Sequence, residues 1–128
     1  VLFDLQAAGH HTQVIALLEA VFLLNKNPRI QRESLYWTAD SKAALGEHQQ
    51  AAELYLRSAT YQHPTGGDMW GQTARYHAAE ELGKAGLTQD ARLVYQALLR
   101  HADDAKQRAV IERNIQQLWL IEKKATPR

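Results

Sequence analysis

The chain has 128 residues, 45% of them apolar and 23% charged, with 15 Lys plus Arg against 14 Asp plus Glu and no cysteine. That length and composition fit one domain with a real core. The near-zero net charge argues against a dedicated nucleic-acid surface, and the absence of cysteine excludes disulfides, thiolate metal sites and a cysteine nucleophile.

Glycine and proline fall mostly between apolar-periodic segments, which is helical punctuation, and no alternating strand pattern is evident. Residues 1–8 read as the end of a helix closed by Gly9. Thr12 is placed to cap a second helix running to about Asn25, with Val14, Leu17, Leu18, Val21 and Phe22 inward. Pro28 cannot continue a helix interior, so Asn25-Lys26-Asn27-Pro28 is a stop. A third helix covers roughly Ile30 to Leu45, with contacts through Leu35, Thr38, Ala39 and Ala43, and a fourth His48 to Tyr61. His63 to Gly67 is the clearest loop. Asp68 should cap a fifth helix over Met69 to Ala85, and Thr88 a sixth over Gln89 to His101. Asp104 with Gln107 has the form of a capping box for a last helix reaching about Lys123 and packing through Ile111, Ile115, Leu118 and Trp119. No apolar run approaches the ~20 residues that a bilayer requires. The chain starts at Val1, abruptly inside a helical pattern, and is expected to be part of a longer protein.

A repeat runs through these segments. The glycines at 9, 46 and 86 lie 37 and 40 residues apart. Five residues after Gly46 and Gly86 stand Ala51 and Ala91; nine after stand Tyr55 and Tyr95; seven before stand Ala39 and Ala79. Val14, Leu18 and Leu2 take the same offsets around Gly9. Periods of this size indicate stacked helix pairs, none able to bury its apolar face alone. The alanines let paired helices approach, and the tyrosines plug the gap between neighbouring pairs.

The runs Ala39, Gly46, Ala51, Tyr55, Ala59, Pro64 and Ala78-Ala79, Leu82, Gly86, Ala91, Tyr95, Leu98 resemble the tetratricopeptide repeat (TPR) family over most of residues 1–102. The family's early Trp is absent, Leu35 and Arg75 standing in its place, and Pro64 falls one residue late. The resemblance implies an all-α fold, antiparallel helix pairs stacked as a right-handed α-solenoid. Its units would be residues 1–28, 29–64 and 65–102, closed by a capping helix over 104–124. It further implies a concave groove lined by the first helix of each unit. Tyr36 and Tyr76 each lie ten residues before a glycine, and Asp40 and Glu80 six before, so each tyrosine and its acid share a helix face. Trp37 and His77 occupy matching positions beside the tyrosines, while Ala43 and Gly83 would keep the groove floor shallow. Such a wall is aromatic and acidic, suited to a peptide with a basic or apolar side chain. Chaperone-type TPR modules grip an acidic tail with Lys, Asn and Arg on this wall; two carboxylates there would repel it.

Other chemistry finds little support. No histidine pair is spaced four apart on a helix with a third ligand nearby, so no metal site is expected. Thr65-Gly66-Gly67-Asp68 lacks the Lys and Ser/Thr of a phosphate loop, and no Gly-x-Ser-x-Gly turn occurs. The last helix carries a basic excess, a docking patch for an acidic partner or simply a solvated face. The reading is a non-catalytic protein- or peptide-binding scaffold with no cofactor, no nucleic-acid partner and no membrane insertion. The alternative is a self-assembly module, because Leu2, Phe3 and Leu5 would expose apolar surface if uncovered. The style of helix pair and long linker resembles bacterial TPR proteins of the cytoplasm or the periplasm and cell envelope.

Overall fold

The structure is a computed structural model that describes residues 2–62 and 67–125. Those residues form seven helices and no strand: α1 (Leu2–Ala7), α2 (His11–Leu24), α3 (Pro28–Ala44), α4 (His48–Thr60), α5 (Met69–Lys84), α6 (Thr88–Leu99) and α7 (Ala105–Ala125). Each helix packs chiefly on the helices before and after it in the chain. The expected loop at His63 and Pro64 lies outside the described residues, as do the Leu2 side chain and Arg128.

One turn recurs three times and sets the architecture. Gly9, Gly46 and Gly86 have φ of 84°, 82° and 84°, a conformation costly for any residue with a Cβ. At each, the glycine N–H donates back three residues (to Gln6, Ala43 and Leu82's neighbour Gly83), and the next N–H donates back five (to Leu5, Lys42 and Leu82). That double bond pattern satisfies the last carbonyls of the preceding helix. The residue after each glycine is then the N-cap of the next helix, with nearly equal angles at His10, Glu47 and Leu87. Its carbonyl accepts from Val14, Ala51 and Ala91 N–H, respectively. The faint first copy of the repeat therefore shares the backbone of the turn with the other two, although the helix before it, α1, is described over only six residues.

The turn also corrects two caps. Thr12 and Thr88 lie inside α2 and α6, whose N-caps, His10 and Leu87, make no side-chain capping bond. The backbone geometry after the glycine starts each helix earlier than a side-chain cap would. Asp68 does cap α5, its carboxylate accepting from Gly71 N–H, and Asp104 accepts from Lys106 N–H at the start of α7.

The repeat offsets are core positions. Val14, Ala51 and Ala91 are fully buried, and Leu18, Tyr55 and Tyr95 are nearly so. Ala39, Ala52, Ala59, Ala74, Ala78 and Ala79 also have no exposure, so α3, α4 and α5 meet over methyl groups and their backbones approach closely. Gly83 serves the same end: a Cβ there would lie 3.3 Å from Leu118 Cδ2. It thus seats α7 and is not the open groove floor expected of it; Ala43, too, packs against the core. Two residues expected inward turn outward. Leu17 is 45% exposed and Trp119 52%, the latter under Lys123 Nζ at 5.0 Å from its ring. The basic excess of α7 is partly used internally, since Arg108 donates to the Leu99 and Ala102 carbonyls at the end of α6.

Arg32 locks α3, α4 and α5 together. Its guanidinium makes two bonds to Asp68, at 2.6 and 2.8 Å, and donates to the Ser58 and Ala59 carbonyls at the end of α4. One side chain thereby closes one helix and orients the cap of the next, a bidentate use that Lys could not reproduce.

Candidate functional site

Tyr36, Trp37 and Asp40 project from α3, and Tyr76, His77 and Glu80 from α5. All six are half-buried. The structure brings them onto one continuous face, because α3 and α5 both pack on α4 through alanine.

The rings form an unbroken chain of contacts. Phe3 meets Trp37 at 5.1 Å and Trp37 meets Tyr36 at 4.9 Å. Tyr36 is the hub, touching Tyr55 at 5.2 Å, Trp70 at 4.9 Å and His77 at 5.9 Å. His77 continues to Tyr76 at 6.0 Å, and Tyr76 to Tyr95 at 5.8 Å. Most pairs are edge-on, the arrangement favoured by the ring quadrupoles. The tyrosines serve packing on their inner side: Tyr36 lies on Tyr55 and Tyr76 on Tyr95, at interplanar angles of 72° and 71°. Their outer side is half open.

The polar groups are arranged around the hub. Tyr55 Oη is 3.4 Å from Asp40 Oδ1, and His77 Nδ1 is 2.9 Å from Glu80 Oε1. Burial, then Asp40 and then Glu80, push the Tyr36 hydroxyl above the ordinary tyrosine value of 10.0. Both carboxylates therefore bear on one phenol, although they come from different helices. Burial pushes Tyr55 and Tyr95 up as well, with Asp40 and Glu80 respectively the next causes. The arrangement offers flat apolar surface, hydrogen-bond acceptors and negative charge in one place.

Trp70, Asn114 and Phe3 join this face without having been read from the sequence as part of it. Trp70 is held by its indole N–H, which donates to Ser58 Oγ at 3.0 Å. It stands two turns before His77 on α5, a spacing that does put both on one side of a helix. Asn114 donates to Tyr76 Oη at 2.9 Å from α7, and nothing in the repeat announces that contact.

Two hollows lie elsewhere. One, of about 420 Å³, is a largely apolar groove on α2, α3 and α4, lined by Leu18, Phe22, Leu23, Leu35 and Leu54 with Glu19 and Arg57 at its rim. The other, of about 470 Å³, is a polar hollow by the second and third turns, lined by Gly46, Glu47, His48, Gln50, Glu53 and Ala85. Beside it Glu81, 5% exposed, is held by His48 and Lys84 at 2.9 and 3.2 Å. Among the described residues no group of three or more His, Asp or Glu could hold a metal ion, and no helix is long and apolar enough to cross a membrane. No family model, curated protein or solved structure matches the chain.

Proposed function

We propose that the chain is a non-catalytic protein- or peptide-binding scaffold of the TPR type, a right-handed solenoid whose concave wall carries Tyr36, Trp37, Asp40, Tyr76, His77 and Glu80. The observation that carries this reading is the chain of ring contacts from Phe3 to Tyr95, half-buried at Trp37, Tyr36, His77 and Tyr76 and interleaved with two carboxylates on adjacent first helices. Aromatic surface of this kind supplies contact area at low entropic cost, and a rigid alanine-packed scaffold holds it ready for a partner. The test is a pull-down with wild type and a Trp37→Ala/His77→Ala variant whose helicity is verified by circular dichroism. Both side chains are half-buried, so binding is read only from a variant that keeps its helicity, and His77→Ala alone carries the comparison if the double variant does not. A partner retained by wild type and lost by the variant supports the reading; retention by both moves the site off this wall.

A second reading, self-assembly, draws on α2. Leu17, Leu23 and Leu24 are 45%, 68% and 83% exposed there, and the neighbouring groove carries one acid and one base at its rim. A two-fold contact needs a patch complementary to itself, and Glu19 opposite Arg57 of a second copy meets that need. Sedimentation velocity across a hundredfold range of concentration separates the readings. A constant monomer removes this one, and a dimer abolished by Leu23→Lys supports it.

A further inference from the structure

We infer that the face centred on Tyr36, between Asp40 and Glu80, is a receptor for a basic side chain, the guanidinium or ammonium of an Arg or Lys presented by the bound segment. The inference rests on the scaffold reading and names what that scaffold recognises.

The reason is a mismatch in how this chain treats its carboxylates. Among the described residues, six carboxylates are buried or half-buried: Glu33, Asp40, Asp68, Glu80, Glu81 and Glu122. Four have a cation of their own: Glu33 has Arg29, Asp68 has Arg32, Glu81 has Lys84 and Glu122 has Arg92. Asp40 and Glu80 have neither Lys nor Arg. Asp40 has one long hydrogen bond from Tyr55, and Glu80 has the half-exposed imidazole of His77. Partial burial without a counter-charge raises the cost of a carboxylate. These two stand at the same offset of successive repeat copies, on either side of one aromatic hub.

The rings show the same mismatch. Elsewhere the chain covers exposed aromatic faces with its own cations, Arg57 on Phe22 at 5.2 Å and Lys123 on Trp119 at 5.0 Å. No Lys or Arg of the described residues sits on Tyr36, Trp37, Trp70 or His77. Arg32, one turn before Tyr36, has its guanidinium committed to Asp68 and two carbonyls. Half-open rings attract a cation through their quadrupoles, and the two carboxylates add direct charge. Each acid stands one ring away from Tyr36: Asp40 accepts from Tyr55, whose ring meets Tyr36 at 5.2 Å, and Glu80 holds His77, whose ring meets Tyr36 at 5.9 Å. An apolar guest would use the rings and leave two carboxylates desolvated with nothing in return. A basic one satisfies both, with charge-assisted bonds roughly twice as strong as neutral ones.

The experiment uses the indole N–H signals of the three tryptophans in a ¹H–¹⁵N spectrum. Trp37 and Trp70 report on the site, and Trp119, on α7, is the internal control. The probes are blocked pentapeptides, Ac-Ala-Ala-Arg-Ala-Ala-NH₂ and its Lys, Leu and Glu counterparts, titrated into wild type and an Asp40→Asn/Glu80→Gln variant. The Arg and Lys peptides should move Trp37 and Trp70, leave Trp119 in place, and bind the variant on the order of tenfold more weakly. The Leu and Glu peptides should move the signals far less. Equal shifts from the Leu peptide, unchanged affinity in the variant, or no shift from any basic peptide would each overturn the inference. None of these outcomes decides the scaffold reading, which stands or falls with the Trp37→Ala/His77→Ala pull-down. Folding of the charge variant is checked by circular dichroism; if it is lost, the single Asp40→Asn and Glu80→Gln variants carry the comparison.

Discussion

The α3–α4 and α5–α6 pairs are two copies of one pattern, and they end up in different surroundings. In both, an alanine seven before the glycine is fully buried, a tyrosine nine after it is nearly so, and a second tyrosine lies edge-on against the first. The difference comes from the next helix. Over α5, α7 brings Leu118 against Gly83 and Asn114 against the Tyr76 hydroxyl. Over α3, the next helix is α5, which contributes Trp70 and His77 to the Tyr36 ring. The repeat thus fixes packing, and the neighbour decides whether the outer side of a tyrosine is tied down or becomes the centre of an aromatic face. The same residue type at the same offset is a hub in one copy and a braced flank in the other.

The comparison is broken most severely at its shared part. Tyr55→Ala and Tyr95→Ala each remove a nearly buried ring, and each should cost about 3–5 kcal/mol, in line with other large aromatic truncations. Chemical denaturation should show the two losses to be similar, because the two positions are equivalent in packing. The next effect should be asymmetric. Arg32→Gln removes the tie between α4 and α5 and leaves the Asp68 carboxylate, about one-third exposed, without that tie. A loss of about 2–3 kcal/mol is expected. The same offset before Gly86 is Gln72, whose amide donates only to the Gly67 carbonyl. Gln72→Ala should cost under about 1 kcal/mol; equal losses would mean that Arg32 is not the lock.

A smaller change tests the braced flank. Asn114→Ala deletes the hydrogen bond to Tyr76 Oη and should cost about 1 kcal/mol. With the brace gone, the Tyr76 ring should gain freedom, read as faster ring flipping by NMR, while Tyr36 is unchanged. Faster flipping of Tyr36 in the same variant would show that the two copies are coupled through His77, which touches both rings, rather than independent.

The part of this structure that could be read in advance is the part that depends on neighbours in sequence. Each glycine closes its own turn with bonds to residues three to five places back, so the turns at Gly46 and Gly86 follow from spacing, while the start of α6 falls one residue before the place a Thr88 cap would give it. The burial of Ala51, Tyr55, Ala91 and Tyr95 follows from the helical period. α2 resisted the same treatment because apolar residues run almost all round it, and periodicity cannot choose between Leu17 and Ile15; only the packed structure shows Ile15 in and Leu17 out. Trp119 misled for a similar reason, lying beside a true core stripe of Ile111 and Leu118. Tyr36, Asp40, Tyr76 and Glu80 were visible through their recurrence. Arg32 and Asn114 were not, since each acts on a partner 36 or 38 residues away, and no local rule links a residue to a helix it has yet to meet.

The subtlest difference between the two copies lies in how their tyrosines titrate. Tyr36 is raised by burial, by its own Asp40 and by Glu80 from the other copy. Tyr95 is raised by burial and Glu80, but Asn114 acts in the opposite direction. A tyrosine whose folded pKa lies above its unfolded value keeps its proton longer in the folded state. Its contribution is therefore intact below the ordinary value of 10.0 and is lost as pH rises through the folded pKa. Stability should fall as the solution is taken above that value, where the unfolded chain ionises first. Phenolate absorbance near 295 nm follows the groups directly. In the Asp40→Asn/Glu80→Gln variant the Tyr36 step should move back toward the ordinary value, with burial holding it partly raised. Asp40→Asn should move it more than Glu80→Gln, since Asp40 acts on the Tyr36 hydroxyl more strongly than Glu80 does. If instead only Glu80→Gln moves it, the hub belongs electrostatically to the α5–α6 copy, and the cation receptor must be recentred on His77.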